Sequence, residues 1–403
     1  MKIFSFGRLF LPAPSPDKTC LAVEDGRVVA VLSESEARSG FVRRSAGYPA
    51  APSSYPEWID CTSFTAGPGL IDLHCHGGAG FDFADGTPEA LSSAAGYHLS
   101  RGVTTILATL GSCTTEEMLA VCRSLSEAQK AVPSLFGIHF EGPYFDIDHS
   151  GCHLKSLVRN PERGEWEQFL PYQESLKMVT IAPELPGALD FIKEFSRLGT
   201  VFSLGHSGAS WEDVEKAIDA GLCHSTHIFN AMSRSSRIEF VLTPGVLETS
   251  LIRDELSTEI IRDCIHVGPR LAEFVVRVKG ITRVSLVSDA LRGVGCPPGD
   301  YAFGPKNGKV ARIIESPRVG ILPENPSTLA SSAISLGDSL GIYAAQTQLG
   351  LSAVWEMASL SPARVLRIED RKGSLAPGRD ADFILLDEAL AVKGVYLKGE
   401  KRL

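Results

Sequence analysis

The chain has 403 residues, of which 44% are hydrophobic and 22% charged, and its formal net charge is -9. This is an ordinary globular composition on a chain too long for one average domain, so it calls for a large barrel or two domains. The acidic balance argues against nucleic acid or an anionic membrane as the main partner, and no apolar run is long enough to span a bilayer.

The N-terminus, Met1-Lys2-Ile3-Phe4-Ser5-Phe6-Gly7-Arg8, lacks the long apolar core of a signal peptide. The nine cysteines are scattered and contain no C-x-x-C pair, which points to a reducing, cytoplasmic setting.

Residues 1–66 read as short strands and turns, with Asp25-Gly26 as the tight turn of a hairpin over 20–32. The Pro-, Ser- and Ala-rich stretch 45–56 reads as a loop. From Gly67 the pattern changes to strands alternating with helices, with strands expected at 70–76, 104–110, 135–141, 177–183, 200–206, 223–229, 259–266 and 283–289. Start signals lie between them: Thr87-Pro88, the capping box Thr114 to Glu117, and Ser210 to Asp213 before a helix stopping near Gly221. Eight strands in alternation predict a (β/α)8 barrel of the TIM type, with its active site at the C-terminal strand ends. The Gly- and Pro-rich residues 299–328 read as an insertion or lid after the eighth strand. Ser361 to Leu366 reads as a capped helix, and turns and strands follow. The expected organisation is a barrel over 67–368 beside a small β-sandwich domain built from 1–66 and 369–403.

Five of the expected strand ends carry metal-type ligands. His74 and His76 share parity at the end of the first strand. Glu141 precedes Gly142-Pro143, His206 follows Gly205, His224 and His227 close the sixth strand, and Asp289 closes the eighth. One Glu and two His can hold a single zinc with an open position, and His74 with His76 can hold a second ion bridged by Glu141. Asp289 is then the free carboxylate that takes a proton from water.

The pieces Pro68 to Gly77, Phe140-Glu141-Gly142-Pro143, Gly205-His206-Ser207, Thr226 to Met232 and Ser288-Asp289-Ala290 resemble the amidohydrolase superfamily. Within it they resemble the N-acetylglucosamine-6-phosphate deacetylase family. The tail from Lys372-Gly373-Ser374 to Asp380-Ala381-Asp382 resembles the superfamily's C-terminal signature. The resemblance implies hydrolysis of the acetamide of an N-acetylated amino sugar 6-phosphate. It implies a divalent metal, with zinc expected and one or two ions per subunit. Glu141, His206 and His227 would hold the main ion, His74 and His76 would permit a second, and Asp289 would be catalytic. His153, Asn230, Ala231 and His266 match substrate-binding positions. A homodimer is the expected assembly.

One departure stands out. The family places a phosphate-binding arginine just before a Glu-Pro-Gly, commonly across a subunit interface, whereas this chain has Leu242-Thr243-Pro244-Gly245 there. Arg234 and Arg237 lie earlier and are the candidates to replace it. An unphosphorylated sugar, another small amide, or an inactive scaffold are the alternative readings. His98 is expected to be structural, His139 to support the ligands, and His227 rather than His224 to face the site.

Overall fold

The computed structural model describes residues 1–11, 15–39, 56–305, 308–338 and 340–403. The expected loop at 45–56 falls almost wholly outside them.

All eight expected barrel strands form, in chain order, as Leu70–Asp72, Val103–Leu110, Leu135–Glu141, Leu176–Ile181, Val201–Leu204, Leu222–Ser225, Ser257–Ile261 and Val284–Val287. They make one parallel sheet whose spatial order follows the chain. The first and eighth strands meet just beyond their ends. There Asp289 N–H donates to the His74 carbonyl (2.8 Å) and His76 N–H to the Ala290 carbonyl (2.9 Å). Strand residues alternate between two cores, as a pleated strand requires. Ile106, Ala108, Val179, Phe202, Ile260 and Leu286 pack outward against the helices. Leu107, Met178, Val201, Ile261 and Val287 join Ala363 in a separate inner cluster.

Several strands stop short of the expected ends, and the reason is local. His206, His227 and Asp289 have φ of +51°, +21° and +47°, in the left-handed region that leaves a β ladder. The first strand stops at Asp72, whose Oδ1 accepts the backbone N–H groups of His74 (3.3 Å) and Ser288 (3.1 Å). His74 and His76 therefore sit in the closing loop rather than on a strand.

The helix signals hold where a side chain can satisfy free backbone donors. Thr87 caps Pro88–Ser100, while Thr114 with Glu117 and Ser210 with Asp213 form capping boxes. The helix near 361 differs: it spans Leu360–Val365 without a side-chain cap, and the Ser361 hydroxyl donates to the Ile281 carbonyl instead.

The two ends of the chain meet in a seven-stranded mixed sheet formed by strands of 2–68 and 383–401. Asp25 and Gly26, at φ +49° and +75°, make the expected hairpin turn. The insertion is more ordered than its composition implies. It is a four-stranded antiparallel sheet, Gly299–Ala302, Val310–Glu315, Arg318–Leu322 and Asn325–Ser332, closed over Leu291, Phe303, Ala311 and Ile313. Among the described residues no helix is long and apolar enough to cross a membrane.

Candidate active site

Glu141 ends the third barrel strand, is 2% exposed, and gathers five histidines. Its Oε1 lies 2.9 Å from His227 Nε2, 3.1 Å from His206 Nε2 and 3.3 Å from His74 Nε2. Its Oε2 lies 3.2 Å from both His76 Nε2 and His153 Nε2. Asp289 Oδ1 lies 3.2 Å from His76 Nε2 and 3.6 Å from His74 Nε2. Residues 215 positions apart in sequence thus meet because the barrel closes between its first and last strands.

The second ring nitrogens decide what each histidine can do. His206 Nδ1–H donates to the His149 carbonyl (2.8 Å), which leaves a lone pair on Nε2. Burial pushes its pKa down to about 4, against the pull of Glu141, so the ring is neutral. Phe145 stacks on that ring, with centroids 4.1 Å apart, and fixes its plane. A neutral lone pair aimed at a carboxylate oxygen, with His227 Nε2 only 3.2 Å away, is repulsive unless a cation lies among them. The donor set therefore fits a divalent metal held by Glu141, His206 and His227. His74, His76 and Asp289 form a second group of converging ligand atoms.

His153 differs although its Nε2 is equally near. The backbone N–H of Ser112 donates to its Nδ1 (3.0 Å), so the neutral ring carries its proton on Nε2. Grouping Glu141 and His206 with His153 is possible by distance. The tautomer makes His153 a donor into the site, and leaves His227 as the candidate third ligand.

Charge balance supports the same reading. Burial opposes a charge on His76, but its hydrogen bonds to Asp289 and Glu141 outweigh that and raise its pKa to about 9. Burial likewise opposes ionisation of Glu141, yet the surrounding histidines, His74 foremost, hold it well below the usual carboxylate range. A site with this much buried negative charge must take up either protons or metal.

The sequence reading missed Glu259. It is fully buried on the seventh strand, accepts from His74 Nδ1 (3.1 Å) and from the His227 backbone N–H (3.2 Å), and lies 3.4 Å from His224 Nε2. A carboxylate inside the apolar strand Ser257–Ile261 was the available signal. His224 supports Glu259 and bonds the Ser257 hydroxyl, so His227 faces the site. His139 is buried between Thr109 and Thr180, beneath the ligands, as a supporting group. His98 bonds the Gly77 carbonyl (2.9 Å) and the Ser335 hydroxyl (3.0 Å), a structural role.

These groups open into a cavity of about 310 Å³. His153, Asn230, Ala231 and His266 line it, as do Phe303, Thr328, Leu329 and Ser331, the last four of them from the insertion and its loops. His266 donates Nδ1–H to Asp263 (2.6 Å). Burial works against its charge, but Asp263 prevails and raises its pKa. Arg234 and Arg237 do not line the cavity. Both are exposed, and Arg237 donates to the Phe240 carbonyl (2.8 Å) within the hairpin Ser236–Ile238/Val241–Thr243.

Residues 65–402 match the family model described as Amidohydrolase family. The chain belongs to the amidohydrolase family. This amidohydrolase is 33% identical over 341 residues to the N-acetylgalactosamine-6-phosphate deacetylase of Shewanella sp. (strain ANA-3), covering 84% of the chain and 83% of that protein. It is 31% identical to the N-acetylglucosamine-6-phosphate deacetylase of Bacillus subtilis (strain 168), covering 79% of the chain and 80% of that protein. Among solved structures, the Mycobacterium smegmatis N-acetyl-D-glucosamine-6-phosphate deacetylase superposes with a TM-score of 0.85 at 29% identity, over 100% of both chains. As an amidohydrolase the protein is a hydrolase, of a family that generally depends on a divalent metal.

Proposed function

We propose that this amidohydrolase removes the acetyl group from an N-acetylated amino sugar 6-phosphate, giving acetate and the amino sugar phosphate. The observation that carries the proposal is the carboxylate of Asp289 at the cavity beside a converging Glu141, His206 and His227. Glu141, His206 and His227 would hold a divalent ion, for which we propose zinc, and it would supply water activation near neutral pH and polarisation of the amide carbonyl. His74 and His76 are the proposed ligands of a second ion.

The chain's own groups supply the rest. Asp289 accepts the proton of the attacking water and returns it to the leaving nitrogen, so the amine departs neutral. His153 Nε2–H donates to the carbonyl oxygen as negative charge develops on it. Asn230 spends its Nδ2–H groups on the His227 (3.1 Å) and Ile228 (3.2 Å) carbonyls, so its Oδ1 is the group left to accept from a sugar hydroxyl. Ala231 shapes the wall beside it. His266, held cationic by Asp263, is the proposed anchor for the phosphate.

We propose a homodimer, supported by the exposed apolar hairpin: Ile238, Phe240, Val241 and Leu242 are 59%, 93%, 66% and 61% exposed. Arg234 or Arg237 would reach a phosphate across that interface. A cytoplasmic setting is supported by nine unpaired cysteines. The strands from 1–66 and 369–403 are read as one unit beside the barrel, 67–368.

The absence of any lysine or arginine from the described cavity lining favours a second reading, a neutral sugar substrate. The test is metal analysis with kcat/KM for N-acetylglucosamine, N-acetylgalactosamine and their 6-phosphates. Phosphorylated sugars are expected to be preferred. Equal turnover with and without the phosphate establishes the second reading, and no turnover of any of the four refutes both.

A further inference from the structure

The inserted sheet delivers one side chain to Asp289. The last strand, Asn325–Ser332, pairs with Arg318–Leu322 through Ser332 opposite Val319 and Leu329 opposite Ile321. Two residues lie between the pairs on one strand and one on the other, so Ala330-Ser331 form a β-bulge. Ser331 occupies it at φ +64°, a left-handed conformation that favours glycine. The partner strand is shaped for the bulge. A Cβ on Gly320 would lie 2.3 Å from the Ala330 carbonyl oxygen, so only glycine admits that backbone.

The bulge turns the Ser331 hydroxyl into the cavity, where it donates to Asp289 Oδ1 at 3.2 Å. The neighbouring residue fixes the backbone on which this depends. Ser332 N–H donates to the Asp289 carbonyl (2.9 Å), and its hydroxyl donates to the Ser288 carbonyl (2.6 Å). Ser331 and His76 both engage the same carboxylate oxygen. The Ser331 hydroxyl restrains Oδ1 and so limits rotation of the carboxyl group about its bond to Cβ.

We infer that Ser331 is a positioning residue for Asp289. The strained bulge holds its hydroxyl on Oδ1, so the seating of the inserted sheet sets the orientation of the carboxylate that moves the proton. The inference rests on the reading of Asp289 as the proton-transfer group. Ser331 touches no reacting atom. Its contribution belongs to kcat rather than to substrate binding, because the orientation it fixes is that of the reacting group.

Two variants separate the hydroxyl from the backbone. Ser331→Ala removes the hydroxyl and keeps the strained residue, while Ser331→Gly removes the hydroxyl and relieves the strain. Both are compared with wild type and with Asp289→Asn, using metal-loaded enzyme and a phosphorylated acetamido sugar. Both Ser331 variants are expected to lose about ten- to hundredfold in kcat, as for a hydrogen bond to a charged group, with KM within about twofold. Metal content is expected to be unchanged, and Ser331→Gly to melt above Ser331→Ala. A merely structural serine gives a different pattern, in which glycine restores kcat. Wild-type kcat in Ser331→Gly, or a change confined to KM, overturns the inference. Full turnover by Asp289→Asn overturns the reading beneath it, and that arm is scored separately from the serine variants.

Discussion

The two sides of the cavity are built differently. On the metal side, Glu141, His74, His76, His206 and His227 are each under 5% exposed and lie at or just beyond the ends of the first, third, fifth and sixth strands of the parallel sheet. The second ring nitrogens of His74 and His206 are held by Glu259 and the His149 carbonyl. On the anion side, Arg237 belongs to an exposed two-stranded hairpin and Arg234 to the exposed segment before it, and the proposed anchor within the cavity is His266, oriented by Asp263. The difference shows a division of labour. Groups that must be held to fractions of an ångström sit buried at the strand ends, and groups free to vary sit on exposed loops.

The largest effect tests the rigid side. Asp289→Asn is expected to keep the fold and metal but lose on the order of 100- to 10,000-fold in kcat, because the amide cannot accept a proton. A variant turning over near the wild-type rate would remove Asp289 from the mechanism and erase the contrast.

The metal side itself should divide. Glu141→Gln or His206→Ala is expected to lose the main ion on dialysis, since two ligands do not make a stable catalytic site. His74→Ala should weaken only a second ion. Glu259→Gln is expected to resemble His74→Ala, with about 10- to 100-fold weaker binding of that ion, because a neutral amide is a weaker acceptor for His74 Nδ1–H than the carboxylate it replaces. Metal content per chain decides it, and equal loss in all four variants would mean one shared site.

The anion side should respond more mildly. Replacing whichever of Arg234 and Arg237 serves the phosphate is expected to raise KM for the phosphorylated sugar about tenfold and leave the neutral sugar unchanged. Phe240→Asp, which charges the exposed hairpin tip, should reproduce that rise if the arginine acts across a dimer, and sedimentation should then show monomer. An unchanged KM in all three variants would place the whole anion site on His266.

The smallest effect lies behind the site. Burial lowers the His98 pKa from 6.5 to about 4, so the folded protein holds this ring neutral. Its contribution to stability is complete above the unfolded value and is lost as pH falls from 6.5 toward 4, by about 3 kcal/mol at most. His98→Gln can keep the donor to Gly77 without titrating, so the stability of wild type relative to His98→Gln should decline across that window. A pH-independent difference would mean that His98 is charged in the fold.

The sequence by itself determined the barrel, because eight apolar segments alternated with helices whose starts were marked by Thr87, Thr114 and Ser210. It also marked the candidate site residues, because Glu141, His206, His227 and Asp289 each ended a segment, next to residues suited to a turn. Such signals are local: a cap, a period and a turn residue are written within a few positions. What only the tertiary structure decided was pairing over distance. Glu259 reads as a buried acid until it is seen on His74, 185 positions away. Ser331 has no local signal at all, since its role depends on a bulge, a facing Gly320 and a carboxylate 42 positions earlier. The two tautomers that separate His153 from His206 depend on backbone groups of Ser112 and His149 that only the folded chain brings to them. Side-chain chemistry is carried by residue type, but proton position and orientation are set by neighbours, and neighbours are a property of the fold.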